Sequence, residues 1–230
     1  MNNGIFLSLV LAHIIGDFYL QTDKFCQEKE ERKLSCKFLY AHIVTMGLLS
    51  WATVPVADFA IYALVIMATH FVIDVCKIYA RKGMWSFLLD QSAHIVVLTA
   101  IVCSFRIPQE WSFLSLFNFQ TSSVPLFVLA ILLCMKPANI LIKLVLAQYQ
   151  VGASETCTDM KNAGALIGNL ERTLTIIFVM IGQYEAIGFI VAAKSLLRFK
   201  DTDTAKTEYV LAGTFLSFGI AIICGLMAKS

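Results

Sequence analysis

The sequence predicts an all-α protein, a polytopic transmembrane helix bundle of about eight helices in two unlike four-helix halves. Three observations predict it. Of 230 residues, 58% are hydrophobic and only 15% are charged, whereas about a quarter of a soluble domain is charged. The mean hydropathy is +0.75. The apolar residues gather into eight runs long enough, or nearly so, to cross a bilayer. The net charge of +2 gives no sign of a nucleic-acid partner. Seven cysteines, an odd number with no CxxC pair, read as small apolar side chains rather than a disulfide framework.

The first run, 4–21, has no basic region before it and is expected to remain as a helix rather than leave as a signal peptide. Within it "LAHIIGDFYLQ" places His13, Asp17 and Gln21 four residues apart, on one helical face. The following stretch 22–37, "TDKFCQEKEERKLSCK", mixes four acids with five bases and reads as a solvated face rather than an anchor for anionic lipid. The second run, 38–57, carries His42 and meets the third, 58–79, at a tight turn near Pro55–Asp58. The third carries His70, Asp74 and Lys77, and the short fourth, 90–105, carries Asp90, Gln91 and His94. The connection 106–123, with Pro108 and Trp111, reads as an external interfacial segment. It separates an N-terminal half, 1–105, from a C-terminal half, 124–230.

The fifth run, 124–147, is expected to kink where Lys136 precedes Pro137, and carries Asn139 and Lys143. The sixth, 162–182, places Gly164 and Gly168 on one face, which reads as packing, and holds Glu171 and Arg172. The seventh, 184–200, carries Lys194 and Arg198, and the eighth, 207–228, begins with Glu208. Orientation follows from the basic residues. Lys24, Lys29, Arg32, Lys33 and Lys37 fill the first connection, Arg81 and Lys82 the third, and Lys194, Arg198, Lys200 and Lys206 the seventh region. The alternate connections are nearly bare. The basic loops are therefore expected to be cytoplasmic and both termini outside.

All four histidines lie in the first four runs, and three of those runs pair a His with an Asp four residues away. With the orientation above, they fall in the cytoplasmic half of the bilayer, within about 10 Å of one another in depth. An ionised group at the membrane centre costs on the order of 3 kcal/mol or more, so such residues pair, line water or bind something. Imidazole with carboxylate is a ligand set for zinc, manganese or iron. The expected metal ligands are His13, Asp17, His70, Asp74 and His94. Asp74, Asp90 and His42 are the candidate catalytic groups, with His42 a further ligand or a proton shuttle. A bland reading stands beside this one: each His–Asp pair is a local hydrogen bond, the aspartates and Gln21 are interfacial, and Lys77 snorkels to the surface. In the C-terminal half, Arg172, Lys194 and Arg198 are candidates for binding an anionic head group or phosphate. The alternative is an ion pair of Glu171 with Lys194 or Arg198.

The stretches "AHIIGDFYLQ", "AH" at 41–42, "THFVIDVCK" and "LDQSAH" resemble an uncharacterised bacterial family of polytopic membrane proteins, a domain of unknown function. "GALIGNLERTL", "IGFIVAAKSLLRF" and "EYVLAGTFLS" resemble the C-terminal half of many of its members. The resemblance implies a multi-pass protein of the bacterial inner membrane and brings no activity with it. More remotely, the His-x-x-x-Asp pattern is similar to bacterial membrane-bound metal-dependent hydrolases, although their Thr-His-Ser type signature is missing. That likeness implies a metal at His13, Asp17, His70 and Asp74. Three functions are expected in turn: a metal-dependent hydrolase acting on a phosphoester or lipid-linked substrate, a proton- or metal-coupled transporter, and a non-enzymatic sensor or partner protein.

Overall fold

A computed structural model describes residues 3–104, 124–149, 161–198 and 204–229. Among these the chain is helical, with no strand, and it divides into two compact units, Met1–Pro125 and Leu126–Ser230. The expected external connection 106–123 lies outside the described residues.

The first unit begins with α1 (Asn3–Ile14), which runs into a π-helical turn, Ile15–Tyr19, and then bends by 80°. α2 (Asp23–Arg32) follows, then α3 (Lys37–Thr53), α4 (Ala60–Tyr79) and α5 (Met84–Ser104). α1 packs on α3, α3 on α4, α4 on α5, and α5 back on α1. The four therefore close a ring around one interior. The stripes facing that interior have helical spacing. On α3 they are Leu39, His42, Ile43, Met46, Gly47 and Ser50, and on α4 Ala63, Ile66, His70 and Asp74. On α5, Asp90, His94, Leu98, Ile101 and Val102 continue the pattern. The outer faces carry Ile61, Leu64, Val72, Leu89 and Val96, all exposed. Charge inside and hydrocarbon outside is the pattern of helices solvated by lipid.

Three expectations change. The stretch 22–37 is not merely a solvated connection. It contains α2, whose start is capped by the Thr22 hydroxyl accepting from the Phe25 N–H, and whose Lys29 is buried. The fourth run begins at Met84 rather than near 90, because Asp90 is neutralised inside the bundle and does not end the helix. Each of the eight runs is mostly helical in its described part, but among the described residues five helices are long and apolar enough to cross a membrane, or six if the bent first pair is one span. At about 1.5 Å per residue, α3, with 17 residues, falls short of a core about 30 Å thick.

The second unit contains all but the first two residues of α6 (Val124–Cys134), then α7 (Lys136–Gln148), α8 (Lys161–Ile181), α9 (Tyr184–Arg198) and α10 (Thr204–Lys229). With 15 residues, α9 is shorter still than α3. α10 packs along α8 and α7, and α9 leans on α8. Ala130, Cys134, Ile176, Ala221, Cys224 and Ala228 form its core. Small residues allow close approach, which drives helix association where no water is expelled. The expected kink is present as a break at Met135, two residues before Pro137. Beside it the buried Cys134 carbonyl accepts from Arg172 Nε. Gly164 has nothing within 4 Å of where its Cβ would stand, while Gly168 leaves room for the Arg172 guanidinium. Thus only Gly168 of that pair serves packing among the described residues.

Candidate metal centre

The ring brings His13 from α1, His42 from α3, His70 from α4 and His94 from α5 into its interior, all buried. Asp17 enters from the π-helical turn, with its side chain 6% exposed. Such a turn carries an extra residue and often marks a functional site. Gly16 in the same turn lies against Met46 of α3 so closely that a Cβ would overlap its sulfur. That contact seats Asp17 beside α3 and α4.

Asp17 Oδ1 lies 3.3 Å from His42 Nε2 and 3.4 Å from His70 Nε2, and the two nitrogens are 3.0 Å apart. Oδ1 is buried without a hydrogen-bond partner. A tetrahedral zinc site with bonds of about 2.0–2.1 Å separates its ligand atoms by about 3.3–3.4 Å. The two sides from Asp17 Oδ1 match that triangle, and the third, between the two nitrogens, is shorter because the two rings hydrogen-bond to each other. Gln21 reaches the same point, its Nε2 lying 2.5 Å from His42 Nε2. It is therefore part of the site and not a free interfacial residue.

Two further groups adjoin the first. The ring nitrogens of His13, His70 and His94 offer atoms all within 4.8 Å of one another, and His70 stacks on His94 at 4.2 Å between centroids. Asp74, Asp90 and His94 form another group within the same limit. Gln91 ties the groups together. Its Oε1 is 3.3 Å from His13 Nε2, and its Nε2 donates to Asp17 Oδ2 at 3.4 Å and to Asp90 Oδ2 at 3.0 Å.

Asp74 and Asp90 are occupied in a way the sequence did not suggest for Asp74. Lys29 of α2 donates to Asp74 Oδ2 at 3.0 Å. Lys77 donates to Asp90 Oδ2 at 2.6 Å instead of simply snorkelling. The sequence alone places Lys29 on a solvated face. Its signals were the helix boundaries around it: Thr22 as N-cap, Asp23 in the first turn, Lys29 and Arg32 in the last. α2 is held over this end of the ring by Phe25 stacked on Phe38 at 4.1 Å and by the Lys82–Glu30 ion pair. At the other end of the site, His13, His70 and His94 border a cavity of about 10 Å³, room for about one water molecule. Met46, Ile66, Val97 and Leu98, with Ser50 and Thr69, form the rest of its wall.

The anion candidates of the second unit are engaged. Arg172 is buried and donates from Nη1 to Ser217 Oγ at 2.8 Å, and from Nη2 to Asn169 Oδ1 at 2.7 Å and to Asn139 Oδ1 at 2.5 Å. Lys194 pairs with Glu171 at 2.5 Å, the alternative expected above. The Arg198 side chain lies outside the described residues. Arg172 is thus a structural cation that links α8 to α7 and α10.

A family model described as a protein of unknown function, DUF3307, matches residues 5–124, just over half of the chain. The chain belongs to the DUF3307 family. The match spans the four-helix ring and every residue of the three groups, whereas Arg172 and Lys194 lie beyond it. No curated protein and no solved structure matches the chain.

Proposed function

We propose that this DUF3307 protein is a metal-dependent hydrolase of the inner membrane, with its metal held by Asp17, His42 and His70. The supporting observation is the triangle of Asp17 Oδ1, His42 Nε2 and His70 Nε2, with sides of 3.0–3.4 Å and a carboxylate oxygen that no hydrogen bond satisfies. Three protein ligands leave a fourth position open, the arrangement of catalytic rather than structural zinc. A zinc, manganese or iron ion there would lower the pKa of a bound water toward neutrality and polarise an ester oxygen. Gln91 would steady Asp17 and His13 around it, since outer hydrogen bonds fix the orientation of ligands.

The reaction class is hydrolysis of a phosphoester. Water adds to phosphorus, the P–O bond to the alcohol breaks, and the departing oxygen takes a proton. The substrate is a lipid or lipid-linked phosphoester, entering from the cytoplasmic leaflet at the end covered by α2. Basic residues crowd that end of the ring, from Lys24 to Lys37 and at Arg81 and Lys82, which is the arrangement of a cytoplasmic face. Lys77, 41% exposed in its side chain, is the cation positioned to meet a phosphate there. A transporter is less well supported, because beyond the three histidines the wall turns apolar and the space holds about one water.

The test uses the full-length protein purified in detergent. Elemental analysis is expected to find a bound transition metal that His70→Ala loses. A chromogenic phosphoester is expected to be hydrolysed by the wild type only. Metal-free wild-type protein that binds no added zinc or manganese would sink the proposal. Metal flux into proteoliposomes without phosphoester turnover would replace it with the transporter.

A further inference from the structure

We infer that Asp74, Asp90 and His94 form a second divalent-cation subsite, which Lys29 and Lys77 neutralise until an ion displaces them. This goes beyond the first centre and rests on the metal reading of that centre only for the neighbouring ion.

All three side chains are more than nine-tenths buried. Asp90 Oδ1 and His94 Nε2 stand 3.6 Å apart, and both lack a hydrogen-bond partner. A buried carboxylate oxygen facing a buried imidazole nitrogen with no hydrogen bond between them is a pair of ligand atoms without a ligand. Asp74, Asp90 and His94 each offer a ligand atom within 4.8 Å of the others, a spacing an ion with bonds of about 2.0–2.2 Å can bridge after small side-chain rotations. Two carboxylates and an imidazole suit manganese, iron or zinc.

Charge decides what the lysines are for. Two ammonium groups supply the same +2 to the two carboxylates that one divalent ion would. Exchanging them for the ion keeps the interior neutral, which a low-dielectric site requires. The exchange is sterically open at Lys77. Lys77 is partly exposed and can turn toward water. Lys29 rides on α2, a helix joined to α1 through the bend at Leu20–Thr22. His94 belongs also to the group with His13 and His70, so the second ion would sit next to the first.

The experiment is a zinc and manganese titration of the chelator-stripped, full-length protein in detergent, read by calorimetry and by elemental analysis after desalting. The expected wild-type result is two ions per chain, the second bound more weakly. Asp90→Asn is expected to retain only the first ion, and His42→Ala only the second. Lys77→Met should tighten the second ion at least tenfold and leave the first unchanged, because it removes the competing ammonium. Lys29→Met should act in the same direction, and Lys77→Met decides the matter if that variant fails to fold. A single wild-type ion that His42→Ala abolishes, with no second ion in Lys77→Met, overturns the subsite and leaves the first centre standing. A single ion lost in Asp90→Asn but kept in His42→Ala supports the subsite and overturns the first centre. No ion in any of these proteins overturns both.

Discussion

Asp17 divides its two oxygens between neighbours: Oδ1 toward His42 and His70, Oδ2 toward His13 and Gln91. Gln91 is the connector, so Gln91→Leu should leave the ligands in place but free to turn. Loss of such outer partners commonly lowers metal affinity by about 10–100-fold, and calorimetry with zinc will show it. Lys29 allows a separate test. In metal-free protein, Lys29→Met leaves the Asp74 carboxylate buried and unpaired, which should cost about 3–5 kcal/mol. The double variant Lys29→Met with Asp74→Leu should recover most of that, as measured by unfolding in detergent mixtures. The histidines and aspartates were legible in the sequence because ionisable residues in apolar runs stand out. Lys29 was not, since a lysine among acids and bases reads as solvated until α2 folds back over the ring.

Among the elements, the π-helical turn and the break at Met135 each redirect backbone for a side chain. At Ile15–Tyr19 the turn carries Asp17, and Gly16 permits contact with α3. Gly16→Ala should force Met46, itself buried, to move. Overpacking of this kind costs about 1–3 kcal/mol, whereas Gly164→Ala, which meets nothing, should be neutral or stabilising by up to about 1 kcal/mol, and thermal unfolding will separate the two. In the second unit the break at Met135 hands the Cys134 carbonyl to Arg172. Arg172→Lys keeps the charge but cannot reproduce a planar fork bonded to Ser217, Asn139 and Asn169. It should lower stability by about 1.5–3 kcal/mol, the value of one hydrogen bond to a charged group. Helical periodicity foretold the runs and proline the kink. It could not foretell the π-helical turn, because one extra residue in a turn leaves no mark on an apolar pattern.

At the scale of the whole molecule, the four-helix ring of the first unit keeps its histidines and aspartates within and presents hydrocarbon outward, and it is the outward face that commits it to a membrane. Leu64, on the outward face of α4, is 62% exposed. A lysine there should disfavour insertion by about 2.5–3.5 kcal/mol if the position lies at the bilayer centre, as read by an insertion assay against Leu64→Ala. Composition and run length were enough to establish an all-α membrane protein, and the positions of four histidines and three aspartates were enough to nominate a site. Those are local properties, readable from each residue and its neighbours along a helix. Which oxygen meets which nitrogen, which carboxylates are already paired with lysine, and which arginine is structural depended on how the helices close upon one another. Charges in a low-dielectric interior are set by the partners within a few ångströms, and here those partners lie on other helices, as far as 78 residues away in the chain.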